Sequence, residues 1–263
     1  MLTTLNQRWR DRRGSYRPAG EIINTAEYEV AAIASDRVAK AFVLQHHYSA
    51  TYPAARFRFG LYRSEQLVGV AVFSHPCSNK VLTSVFPGDA CESVELGRFV
   101  LLDEVPGNGE TWFLARCFEQ LRASGLRGVV SFSDPIARTN DAGERIFPGH
   151  VGTIYQASNA VYLGRGTART LRLLPNGTVF SDRAIQKIRA GERGWNYSAE
   201  ILEACGAPRA PETSVERLAW LQEQLTAYAR PLRHVGNYKY AWAFQKTDKR
   251  RLPASLPYPK LAA

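Results

Sequence analysis

The residues able to do chemistry gather at the ends of apolar runs. His46, His47 and Tyr48 close SDRVAKAFVLQHHY. Imidazole titrates near neutrality, so a histidine there can serve as acid, base or metal ligand. A histidine at a helix C-terminus is also simply favoured by the helix dipole. Adjacent histidines cannot share a helix face, so at most one points into a site, and His47 with Tyr48 are taken as the candidates. Arg98 sits inside ELGRF, where alternation sets Leu96 and Arg98 on one side and Glu95 and Gly97 on the other. A buried arginine needs a partner, either a carboxylate such as Asp134 or a substrate phosphate. Ser131, Ser133 and Asp134 end GVVSFSDP. They suit a site at a strand end, with Asp134 taking a proton from an amine, or they form an Asx-type turn. His47 and Asp134, with His75, have the composition of a two-histidine, one-carboxylate iron site. His150 and His234 are isolated and receive no role.

PGNGETWF places glycines at the start of an amphipathic helix. Glycine there serves a tight turn or bares backbone N–H groups for a phosphate. Asn108, Gly109, Glu110 and Thr111 are the residues concerned, and the Thr111 hydroxyl could donate to a phosphate or carbonyl. Tyr155 and Asn159 are four apart, so one helix face carries both.

These residues need strands and helices to hold them. EYEVAAIA reads as a strand, and Ser35 or Asp36 caps the helix after it. RFRFGLYR and QLVGVAVFSH form a hairpin, and SVELGRFVLL is a further strand. Leu114, Cys117, Phe118 and Leu121 give the next helix its apolar face. GVVSFSDP is a short strand, IARTNDAGERIFPGH a loop, and VGTIYQASNAVYLG a helix to Gly164. TARTLRLLPNGTVFS turns at Asn176-Gly177 as a hairpin. Two helices, SDRAIQKIRAG and SVERLAWLQEQLTAYA, precede the aromatic strand NYKYAWAFQ. The resulting organisation is a basic arm over 1–27, an α/β core over 28–175 and a basic extension over 176–263 packed on the core.

The 263 residues carry a net charge of +10, which favours polyanionic partners. Arg8, Arg10, Arg12 and Arg13 form one basic cluster, and Arg183, Lys187 and Arg189 share a helix side. Such residues suit phosphates, in a salt-sensitive way. Trp195, Tyr197, Tyr238, Tyr240 and Trp242 offer stacking surface, unless the last three alternate because one sheet face is buried. The four cysteines have no metal-ligand spacing and read as reduced thiols of a cytoplasmic protein. No apolar run approaches the roughly 20 residues of a membrane span, and the N-terminus lacks a signal peptide's apolar stretch.

ELGRFVLLDEVPGNGETWFLARCFEQL and GTIYQASNAVYLG resemble the GNAT-type N-acetyltransferase fold. That resemblance implies a mixed, mostly antiparallel central sheet with helices on both faces. It implies an acetyl-CoA donor whose pyrophosphate lies on the amides of the glycine loop, with Asn108, Gly109, Glu110, Thr111 and Asn159 around the cofactor. Tyr155 would protonate a leaving thiolate. Asp103 and Glu104 stand near the family's basic position, and an acidic pair there repels pyrophosphate.

HHYS, ELGRF, FSDP and GTIYQASN, in this order, are similar to the phage Mom family. Members convert adenine in the phage's DNA to an N6-carbamoylmethyl form and so block restriction. The resemblance implies double-stranded phage or plasmid DNA as substrate and acetyl-CoA or iron as participants. Asp134 with His47 or Tyr48 would act on N6, and Arg98, Ser133 and Tyr155 would position the donor. Two rival readings are a conventional acetyltransferase for a small amine or protein and a non-catalytic nucleic-acid-binding protein.

Overall fold

The computed structural model describes residues 5–11, 13–18, 20–49 and 51–260. In chain order its elements are β1 (Leu5–Arg10), β2 (Arg13–Pro18), β3 (Tyr28–Ala32), α1 (Asp36–His46), β4 (Ala55–Arg63), β5 (Gln66–Ser74), α2 (Lys80–Thr83), β6 (Ser93–Leu101), α3 (Gly109–Ala123) and β7 (Gly128–Ser133). There follow β8 (Arg138–Thr139), β9 (Arg145–Phe147), α4 (Thr153–Ala157), β10 (Val161–Arg165), β11 (Arg169–Leu173), β12 (Val179–Phe180), α5 (Asp182–Ala190), α6 (Trp195–Glu203), α7 (Ser214–Tyr228), β13 (Arg230–His234), β14 (Tyr238–Ala243) and α8 (Lys246–Arg251).

Local chemistry explains the main boundaries. The Ser35 hydroxyl accepts from the Arg37 N–H at 3.2 Å and starts α1. Ser64 and Glu65 both have positive φ, the two-residue turn whose twist matches that of a hairpin, and it joins β4 to β5. Phe113, Leu114, Cys117 and Leu121 are buried on one side of α3. That stripe seats the helix on the sheet.

The chain forms two compact units. The first comprises 1–135, 150–166 and 237–263. Its seven-stranded sheet has the order β10-β14-β7-β6-β5-β4-β3. Every neighbouring pair is antiparallel except β6 and β7. One face packs α3 against Phe59, Phe73, Leu96, Val129, Tyr240 and Trp242. On the other, Leu82, Val85 and Phe86 of α2 and its flank cover Val130 and Ala241, and α1 packs on β4, β5 and β6. This is the expected mixed, mostly antiparallel central sheet with helices on both faces. Among the described residues no helix is long and apolar enough to cross a membrane.

The second unit comprises 136–149 and 167–236. It holds the small β8–β9 ladder and the sheet β12-β11-β13. Its core joins Phe180, Ile188, Leu202, Trp220 and Leu221 across α5, α6 and α7. Arg217 is buried there, lies 4.4 Å from the Trp195 ring centroid and donates to the Ile188 carbonyl.

Several expectations are corrected. The 1–27, 28–175 and 176–263 division does not hold, because β14 lies between β7 and β10 in the first unit's sheet. Tyr240 and Trp242 are buried in that sheet rather than presented for stacking. Residues 5–10 and 13–18 pair as the β1–β2 hairpin instead of forming an arm. The helix expected over 151–164 stops at Ala157, since Asn159 turns left-handed and Val161–Arg165 pairs with β14. The expected loop over 136–150 contains the β8–β9 pair.

One irregularity positions the site. Leu96 pairs with Phe73 and Arg98 with Val72, so Gly97 is an extra residue, a β-bulge. A Cβ on Gly97 would lie 2.6 Å from Ser74 Oγ. Gly97→Ala is expected to destabilise the fold by about 1–3 kcal/mol through overpacking, measurable by chemical unfolding.

Candidate functional site

β6 and β7 share a parallel ladder from Ser93–Gly128 to Leu96–Ser131. Beyond that pair the ladder ends, although β6 runs on to Leu101 and β7 to Ser133. A cavity of about 210 Å³ lies at this divergence. His47, Tyr48, Glu95, Arg98, His150 and Tyr155 line it, together with Gln7, Arg8 and Trp9 of the hairpin.

The bulge determines which groups face the cavity. Val94 and Leu96 join the core before Gly97, and Phe99 and Leu101 join it after. Glu95 and Arg98 therefore share the opposite face, which corrects the simple alternation that paired Arg98 with Leu96. Backbone groups freed by the divergence find side-chain partners. Ser131 Oγ donates to the Leu96 carbonyl at 3.0 Å, and Arg98 Nη1 donates to the Gly97 carbonyl. Arg98 also donates to the carbonyl of Thr51 at 2.9 Å and to its hydroxyl.

The cavity's electrostatics follow from burial. Burial raises the Glu95 pKa, opposed by the Arg98 charge. Burial lowers that of Arg98, opposed by Tyr48, Glu95 and Tyr155. Burial also raises the Tyr155 pKa, opposed by a hydrogen bond with Ser131. His47 is pushed well below 6.5, chiefly by burial and further by Arg98 and His150. Its Nδ1 accepts the Ser49 N–H at 3.2 Å, so the ring proton of the neutral form sits on Nε2. His47 is thus a hydrogen-bond donor rather than a ready base or ligand. His46 turns elsewhere, with Nδ1 3.4 Å from Asp11. Trp9 packs on Tyr48 with ring centroids 4.4 Å apart, and Tyr48 lies 4.3 Å from His47.

The structure brings together His47, Tyr48, Arg98 and Tyr155 among the expected site residues. Ser133 and Asp134 are outside the cavity lining. Ser133 is fully buried on β7, and the Asp134 carbonyl receives the His150 N–H at 2.8 Å. No group of three or more histidine, cysteine, aspartate or glutamate side chains could hold a metal ion among the described residues. His75 is exposed at the end of β5, and the His47, His75 and Asp134 set is not assembled.

The expected cofactor residues have structural partners. Asn108 Oδ1 accepts the Ile23 N–H at 2.8 Å, and the Thr111 hydroxyl donates to the Asn108 carbonyl at 3.0 Å. Glu110 is buried against Arg8, with Oε1 2.6 Å from Nε. Asn159 is exposed. The glycines serve close packing rather than positive φ. A Cβ on Gly107 would meet the Pro18 carbonyl at 2.4 Å, and one on Gly109 would meet Val105 at the same distance. The Gly107 N–H donates to Glu21 at 2.8 Å. The pyrophosphate of coenzyme A does not fit this loop.

Arg8, expected on DNA, is only 2% exposed. Arg10 is exposed and Arg13 likewise, while Arg12 lies outside the described residues. In the second unit Arg183 pairs with Glu192, Lys187 is half-buried and Arg189 is exposed. Sequence reasoning missed Trp9, Glu95, His150 and Glu21. Trp9 flanked by arginines resembled a surface arm, and Gly97, the bulge signal in ELGRF, was read as an ordinary strand residue.

A mixed α/β sheet whose single parallel pair diverges into a polar, aromatic-walled cavity defines the class. Within it, a sequence model of the Mom protein family matches residues 27–260, and the chain belongs to that family. Among solved structures it is similar to an IAA acetyltransferase from Bacillus cereus ATCC 14579, at 8% identity, TM-score 0.33, covering 82% of this chain and 99% of that one. It is also similar to a tandem GNAT protein from the clavulanic acid biosynthesis pathway, at 10% identity, TM-score 0.39, covering 76% and 65%. Both are too distant to assign an activity. No curated protein matches the chain.

Two outcomes test the site's electrostatics. Arg8→Ala leaves a buried carboxylate alone and is expected to cost about 3–5 kcal/mol in chemical unfolding. Replacing both Arg8 and Glu110 with apolar residues of similar volume should recover much of that loss. For His47, the unfolded chain binds a proton near pH 6.5 that the folded site refuses. Its stability contribution is complete above that pH and declines below it, so His47→Gln should flatten unfolding free energy plotted between pH 7 and pH 5.

Proposed function

We propose that this protein transfers a small group to N6 of adenine in double-stranded phage or plasmid DNA, forming the carbamoylmethyl modification and blocking restriction. Membership of the Mom family is the observation that carries this reading. The cavity at the β6–β7 divergence supports it by gathering acid, base and hydrogen-bond groups around a space for one base. An enzyme that acts on a base must draw it out of the duplex stack, and the adenine is extruded into this cavity. Trp9, Tyr48 and His150 form its aromatic wall.

Glu95 replaces Asp134 as the proposed base, because it lines the cavity and its pKa is raised toward neutrality. The N6 nitrogen bonds to the donor's electrophilic carbon, and the carbon's bond to its leaving group breaks with that group retaining the electron pair. Glu95 takes the N6 proton. Arg98 stabilises negative charge developing on the donor, and Tyr155 donates its hydroxyl proton to the leaving group. His47, through Nε2–H, orients acceptor atoms. Arg10 and Arg13 meet DNA phosphates on the first unit, and Arg183, Lys187 and Arg189 meet them on the second.

Nucleoside mass spectrometry on DNA from expressing cells tests the proposal. Wild-type protein should yield a heavier adenosine whose added mass identifies the group. Glu95→Gln should lower the rate by about 10²-fold or more, whereas Asp134→Ala should retain most activity. An unmodified adenosine pool with folded wild-type protein present would overturn the reading.

A further inference from the structure

The β1–β2 hairpin precedes the family-matched segment, yet it closes the start of α3. A helix start attracts phosphate because its N–H groups are free and its dipole end is positive. Here three N–H groups of the approach to α3 are engaged by the chain itself, Gly107 by the segment just after the hairpin and two others by the loop. Val105 N–H donates to the Leu102 carbonyl, Gly109 N–H to the Pro106 carbonyl and Gly107 N–H to the Glu21 carboxylate. Pro106 has no N–H to offer.

Charge and space reach the same result. Glu21 and Glu110 are two carboxylates at this end of α3, with Asp103 beside them. Their arginines are already engaged. Arg8 donates to Glu110 and to the carbonyls of Leu102, Val105 and Pro106. Arg17 donates to both Glu21 oxygens and to the Asp103 carbonyl. Asn6 donates to the Gly107 carbonyl, and the Pro18 carbonyl occupies the space above Gly107. A diphosphate placed over Gly107 would meet the Glu21 carboxylate, an N–H already donated to it and the Pro18 carbonyl.

We infer that the hairpin is a built-in occupant of the anion-binding end of α3, with the Glu21 carboxylate in the position of a phosphate, so that the group donor is not held there by a diphosphate. The inference takes the existence of a donor from the transferase reading; the sealing of α3 does not depend on it. The same hairpin supplies Trp9 to the cavity wall, so displacing it for a cofactor would also dismantle that wall. The donor's reactive end is therefore recognised within the cavity, without a diphosphate anchored on residues 105–111.

Hydrogen exchange on the purified full chain tests this, using acetyl-CoA as probe at about 1 mM, which reveals dissociation constants tighter than that value. The expected result is unchanged exchange in residues 105–111 and in the hairpin. Glu21→Ala should accelerate exchange at Gly107 and in residues 13–18 without acetyl-CoA, which shows that the carboxylate holds the seal. Acetyl-CoA-dependent protection of 105–111, together with faster exchange of the hairpin, would overturn the inference. So would a Glu21→Ala variant with the wild-type exchange pattern. Unmodified DNA in the nucleoside assay would overturn the transferase reading alone, because the exchange readout involves no turnover.

Discussion

Two parallel strands that part midway impose a demand that shapes the rest of the site. Backbone polar groups freed by the parting need partners, since unpaired buried groups are costly. Ser131 and Arg98 meet this demand at the carbonyls of Leu96 and Gly97. A side chain that caps the divergence thereby also stands beside the cavity. Arg98 reaches it from the face shared with Glu95, because Gly97 inserts the extra residue that reverses alternation. The opening, the arginine's orientation and the perturbed carboxylate are consequences of one local departure from regular pairing.

Charge is partitioned within the first unit. At the start of α3, Glu21, Asp103 and Glu110 face Arg8, Arg10 and Arg17, and the hydrogen bonds among them are short and numerous. At the cavity, Glu95 and Arg98 influence one another without a direct ion pair fixing either carboxylate oxygen. The first group joins elements; the second leaves a buried carboxylate whose pKa is raised by burial. Arg8 bridges the two regions, because it lines the cavity while its guanidinium ties the hairpin to the loop before α3.

Much of the core was legible from period and turn chemistry. The α3 stripe of Leu114, Cys117 and Leu121 is where periodicity places it, and the β4–β5 hairpin follows from two alternating runs around a short turn. His47, Tyr48, Arg98 and Tyr155 were found through the motifs that contain them. The remaining errors have physical causes. Asp134 sits at a strand end, but its backbone is engaged in the turn that receives His150. Arg98 was assigned to the Leu96 face, opposite Glu95, because strict alternation ignores a bulge. Arg8 resembled a solvent-facing arm residue because its partners lie about a hundred positions later in the chain, and local pattern carries no information about them. For the same reason, NYKYAWAFQ read as a strand while its place between β7 and β10 stayed hidden.

The position of β14 has a consequence during synthesis. β7 is complete at Ser133, but the strand that covers its free edge ends at Ala243. At roughly 5–20 residues per second, a ribosome leaves that edge without its partner for several seconds or longer. β10 waits for the same strand. An unpaired edge is open to association with another chain, so this interval is the period of greatest exposure to misassembly. Tyr240 and Trp242 enter the α3 side of the core only when β14 arrives, so this sheet closes only after the whole second unit has been synthesised.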